Sequence, residues 1–112
     1  MNNDIETWQH KIRSLAPQIR DAEFSVFKAE ANIKLLQAKL ELAAASTGIK
    51  THAGQKQRAE ADMSLYDARL EYGLKKGELS ALKVSLKSLE VGFEEWRTKM
   101  VNARNEKNRY SA

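Results

Sequence analysis

The sequence predicts an all-α protein, a long antiparallel helical hairpin with coiled-coil packing that assembles into a homo-oligomer. Three observations carry this. One heptad register runs from Ile5 to Ala43 without a skip. A single glycine-flanked loop comes after it. Beyond the loop, a second helix-period stretch is apolar over an arc too wide for one partner helix to cover.

The first element is expected over about residues 4–45. Ile5, Ile12, Ile19, Val26, Ile33 and Leu40 recur at one core position. Trp8, Leu15, Ala22, Ala29, Leu36 and Ala43 recur at the other. β-Branched residues dominate the first set, and Ala or Leu the second, which is the signature of a coiled-coil seam. Such a helix is roughly 60 Å long at about 1.5 Å per residue. Asn2, Asn3 or Asp4 is placed to cap it. Pro17, the only proline, falls on the outer face. It either starts a second helix, with Ser14 near its cap, or bends one long helix. The unbroken register on both sides argues that the two pieces share a direction.

Gly48 is a natural stop, because glycine reaches left-handed φ/ψ cheaply. The loop is expected over about 46–54, with Thr51 placed to cap the next helix. That second helix is expected over about 55–108, ending in a short basic tail. Its strongest stripe is Leu79, Leu82, Leu86, Leu89, Phe93, Trp96, Met100 and Ala103. A second stripe adds Leu70, Leu74, Ala81, Val84 and Val91. Leu70, Leu74, Leu79, Leu82, Val84, Leu86, Leu89 and Val91 are therefore the expected oligomer interface. Gly73, Gly77 and Ala81 lie four apart and mark either a close helix crossing or a flexible joint. Lys75 and Lys76 between the glycines exclude a membrane dimer motif.

All 112 residues fit one domain. There is no cysteine, so disulfides and thiolate metal sites are excluded and a reducing cytoplasm is the expected location. The acidic N-terminal residues do not resemble a signal peptide. The longest uncharged stretch, Leu42 to Ile49, is far short of a membrane span. Net charge is +4, but it is gathered in two places. Residues 97–112 carry Arg97, Lys99, Arg104, Lys107 and Arg109 against Glu106 alone. Residues 46–58 carry Lys50, Lys56 and Arg58 with no acid. Basic charge gathered at a turn and a tail suits phosphate contacts. Lys34 and Lys39 flank the first seam and extend the loop group. Arg104, Lys107 and Arg109 are candidate tail contacts, with Tyr110 as a stacking aromatic.

No catalytic constellation is visible. His10 and His52 have no acid at ligand spacing, and the Glu-x-x-His pairs of two-metal bundles do not occur. There is no phosphate-binding glycine loop. The chain is expected to be no enzyme and to need no cofactor or metal.

Four stretches carry a family resemblance. They are Lys34–Gly48 (KLLQAKLELAAASTG), Arg58–Asp62 (RAEAD), Tyr66–Tyr72 (YDARLEY) and Leu89–Met100 (LEVGFEEWRTKM). Together they resemble small phage helical proteins of the UvsY type, the recombination mediators of T-even phages. The resemblance implies a helical ring oligomer that binds single-stranded DNA. It implies help in loading a RecA-like recombinase past single-strand-binding protein. The family's DNA-contact run corresponds to Gln37–Glu41, where Lys39 keeps the positive charge and Gln37 stands in place of a lysine. The expected partners are thus other copies of the chain, single-stranded DNA, and a recombinase or single-strand-binding protein. A second expectation uses the same helices without DNA binding: a phage-encoded coiled-coil protein-binding module, either an inhibitor of a host defence complex or an assembly adaptor.

Overall fold

In the computed structural model, residues 2–110 are described, with side chains for 4–109. The described residues form three α-helices and no strand: α1 (Asn2–Ser46), α2 (His52–Glu60) and α3 (Met63–Tyr110). No helix among them is long and apolar enough to cross a membrane.

α1 runs through Pro17 without interruption. Proline has no N–H to give the carbonyl four residues back. Its exposed position lets water satisfy that carbonyl. Side chains reinforce the turn around it: Ser14 Oγ donates to the Lys11 carbonyl at 2.8 Å, and Gln18 Nε2 to the Ser14 carbonyl at 3.1 Å. α1 ends in a Schellman motif. Gly48 has φ +100°, its N–H donates to the Ala45 carbonyl, and the Ile49 N–H donates to the Ala44 carbonyl. Thr51 caps α2 as expected, its hydroxyl accepting from the Gly54 N–H at 3.1 Å. Gly54 is confined by its surroundings, since a Cβ there would stand 2.8 Å from both Ile49 Cγ2 and Thr51 Oγ1.

The single helix expected over 55–108 is in fact two, broken at Ala61–Asp62. The cause is local. The Asp62 carboxylate accepts from the Ser64 N–H at 2.8 Å and from the Ser64 hydroxyl, so it caps a new helix instead of continuing the old one.

The chain divides into two compact units. Within Arg20–Ser80, α1 and α3 run antiparallel. Ser25 and Asn32 share a groove with Lys75 and Glu71, while Leu40 and Thr47 share one with Arg58 and Asp62. Their covered positions run in mirror order: Ala22, Val26, Ala29, Ile33 and Leu36 on α1 against Leu79, Lys75, Tyr72, Ala68 and Leu65 on α3. All are half-buried except Leu65, which is fully buried. Ala44, Ala59 and Leu65, one from each helix, are the fully covered apolar residues among those described. Here the register expectation is corrected. Ala43 is exposed and Ala44 is buried, because the neighbour at this end of α1 is α2. Lys75 occupies a ladder position that is otherwise apolar. Its ammonium reaches Glu71 at 3.7 Å and Glu78 at 3.6 Å while its stem lies along the ladder.

The other unit comprises Met1–Ile19 and Ala81–Ala112. Trp8, Ile12, Leu15 and Ile19 are half-buried, as are Leu82, Leu86, Leu89, Phe93, Trp96 and Met100. The Phe93 ring lies 6.4 Å from Trp8 and 6.1 Å from Trp96, centroid to centroid. Gly92 makes room for this cluster: a Cβ there would stand 2.9 Å from the Trp8 ring. Ile5 was expected in the seam but is exposed. Ala103 is also exposed, so the α3 stripe ends at Met100.

Candidate nucleic-acid interface

The basic loop group is assembled at the corner where α1 ends and α2 begins. Lys50 sits in the turn between the two helices, and Lys56 and Arg58 lie on α2. All three are exposed. The turn is held open by its caps, so these side chains project from a short, well-fastened segment. Gln55 Nε2 adds a bond to the Ile49 carbonyl at 2.9 Å, tying α2 back to the turn. No acid occurs between Glu41 and Glu60. The next carboxylates along the chain are Glu60, which pairs with Arg69 at 3.8 Å, and Asp62. The Ser64 hydroxyl and amide, and then the Arg58 charge, hold the pKa of Asp62 below the usual carboxylate value. Arg58 and Asp62 also line one shallow groove with Leu40, Ala43, Ala44 and Thr47.

Lys34 and Lys39 are exposed on α1. Five residues apart on a helix, they lie about 140° apart around its axis and do not share a face. Between them runs an exposed apolar stripe, Ala31, Leu35, Ala38 and Leu42. Lys34 also pairs with Glu30 at 3.8 Å. Gln37 donates to Glu41 at 3.5 Å, so that run turns an amide and a carboxylate towards each other.

The tail residues Arg104, Lys107 and Arg109 are exposed on the last turns of α3 and belong to the other unit. Tyr110 ends α3, and its side chain lies outside the described residues. His10 and His52 are exposed, and no group of metal-binding side chains occurs among the described residues.

The expected oligomer-interface residues fall on two faces. Leu79, Leu82, Leu86 and Leu89 are half-buried in the α3 ladder. Leu70, Leu74, Val84 and Val91 stand exposed on its opposite side. Gly73 and Gly77 lie on or beside that outer face, and no atom comes within 4 Å of where their Cβ atoms would stand. The close crossing that their spacing suggested is not made among the described residues. Sequence reasoning missed the matching outer face of α1, made by Phe24, Phe27, Leu35 and Leu42. Its signal was present, since Ala31 and Ala38 keep a seven-residue repeat, as do Leu35 and Leu42.

Comparison with known proteins finds no match to any family model, curated protein or solved structure.

Proposed function

We propose that this chain is a homo-oligomeric, coiled-coil protein of the cytoplasm that binds single-stranded DNA as a recombination mediator does. The observation that carries the reading is the corner of Lys50, Lys56 and Arg58, exposed on a capped turn in a stretch without acids. One such corner is weak. Repeated once per subunit on an assembly, it becomes an extended phosphate-binding track by multivalency. The uncovered apolar faces of α1 and α3 support an assembly of this kind. So does the resemblance of Lys34–Gly48 and its companion stretches to the UvsY-type mediators. Lys39 extends the track along α1, and a RecA-like recombinase is the partner that the reading implies.

The test is fluorescence anisotropy of a labelled oligothymidine titrated with the protein. Binding is expected at low salt and falls steeply towards physiological salt, because released counterions drive it. The Lys50→Glu, Lys56→Glu, Arg58→Glu triple variant should lose at least tenfold in affinity at unchanged oligomer mass. A wild-type oligomer indifferent to the oligonucleotide at low salt refutes the reading. The exposed apolar faces then favour the second one, a helical module that binds another protein.

A further inference from the structure

From the two outer faces of the Arg20–Ser80 unit we infer that a second copy of this chain lays the outer face of its α3 on the outer face of α1, head to tail. The inference rests on the homo-oligomer reading above and specifies its interface. Each outer face repeats every three or four residues on the side away from the covered ladder. On α1 it is Phe24, Ala31, Leu35, Ala38 and Leu42, with Phe27 at its margin. On α3 it is Met63, Leu70, Leu74 and Gly77, with Tyr66 and Gly73 at the margin. The large side chains among these are between 54% and 71% exposed. Exposed apolar stripes of this kind, rimmed by charged residues, mark interaction surfaces.

Three features make the faces complementary to each other and not to themselves. The first is shape. The α1 face is bulky at Phe24 and Phe27, while the α3 face is hollow at Gly73 and Gly77, with nothing within 4 Å of either position. The second is charge. Along one border the α1 face carries Lys28 and Lys39 with Asp21, and the α3 face carries Asp67, Glu71 and Glu78; along the other border Lys34 stands among Glu23, Glu30 and Glu41 on α1, and Arg69 and Lys76 stand on α3. Glu71 and Glu78 share Lys75 between them, which leaves the acidic border in excess. Pairing α1 with α1 would oppose lysines and crowd phenylalanines, and pairing α3 with α3 would oppose carboxylates. The third is level. In the mirror order that the chain's own ladders follow, Phe24 stands level with Gly77, Ala31 with Leu70 and Ala38 with Met63. The outer faces therefore mate antiparallel at the register already set inside each copy, with no axial step between neighbours. An interface of unlike faces is heterologous, and each copy carries one face of each kind.

The test uses Phe24→Glu and Gly77→Glu, each at an exposed helix position and each introducing a fair helix former, so the fold survives them. Mass is read by analytical ultracentrifugation and helix content by circular dichroism. Wild type is expected as an oligomer of at least three copies. Each variant alone should be a monomer, and the two mixed in equal amounts should form a dimer and nothing larger, because one intact face of each kind remains. If only one variant dissociates, the interface pairs like with like and the inference fails. If both keep the wild-type mass, these faces are not the interface, and the inference fails while the oligomer reading stands. A monomeric wild type overturns both. Should Phe24→Glu lose helix, Phe24→Ala replaces it with the same expected pattern of masses.

Discussion

Leu65 offers the sharpest test of what holds this chain together. It is the one large side chain that is wholly covered among the described residues, and its fully buried companions, Ala44 and Ala59, come from the other two helices. Leu65→Ala removes three carbons from that corner. At about 0.8 kcal/mol per buried methylene the transfer loss is about 2.4 kcal/mol. A cavity term adds to it, because a fully covered site relaxes only in part around a truncation. The expected cost is about 3 kcal/mol, within the range of about 2–5 kcal/mol for such truncations. The damage should be local at first. α2 has nine residues, fewer than the 12–15 or so at which an isolated helix becomes marginal, so α2 exists because it is packed. Denaturant unfolding followed by circular dichroism gives the stability loss, and amide exchange shows where it falls. The α2 amides should lose protection before those of α1 and α3. Val101→Ala, at an exposed position on α3, should stay within about 0.5 kcal/mol of wild type. If Leu65→Ala costs no more than that control and α2 keeps its protection, the corner is not what anchors α2.

Three further outcomes are expected. Asp62 should titrate by NMR with a midpoint below the ordinary 3.8, chiefly through its Ser64 bonds, and Ser64→Ala should raise it. A depressed carboxyl stabilises the fold fully above its unfolded value, so the α3 cap should loosen only as pH falls through the lowered midpoint; a midpoint unchanged by Ser64→Ala would refute this. Gly92→Ala should destabilise the chain and shift tryptophan emission, although the helix itself gains about 1 kcal/mol from the substitution, because the new methyl meets the Trp8 ring at 2.9 Å; a rise in melting temperature would refute it. Lys75→Leu should stabilise the chain by on the order of 1 kcal/mol and raise the unfolding midpoint, since an apolar side chain suits the ladder and the two part-exposed ion pairs are worth little. A lower midpoint would show that the Glu71–Lys75–Glu78 cluster matters more than the packing it displaces.

Much of α1 was legible because its signal is periodic and redundant. Trp8 through Leu40 are covered where the heptad placed them, and only the ends, Ile5 and Ala43, depart from it. Gly48 and Thr51 were legible for a different reason: left-handed φ and a hydroxyl cap are single-residue chemistry. The break at Asp62 was not. Ala, Glu and Arg precede it, all good helix formers, and an Asp two residues before a Ser is too common a pair to read as a stop. Lys75 escaped because a lysine at an apolar position is counted as a surface residue until its two glutamate neighbours are seen to hold it. The basic corner was readable as a composition of Lys50, Lys56 and Arg58. The outer face of α1 was overlooked because the stronger repeat on the same helix accounts for most of its apolar residues. A second repeat of alanine and leucine in the same stretch adds little to the periodicity.

The aromatic cluster has a practical consequence. Trp8 and Trp96 are the only tryptophans in the chain, and both flank Phe93 in the unit that contains the two ends of the sequence. The Arg20–Ser80 unit has none and carries Tyr66 and Tyr72 instead. Indole emission, excited beyond the tyrosine band, is thus a natural reporter on one unit alone, while the far-ultraviolet helix signal sums over both. Coincident melting curves from the two signals would mean that the units unfold as one cooperative block. Separated curves would assign each transition to its unit without a label or a mutation.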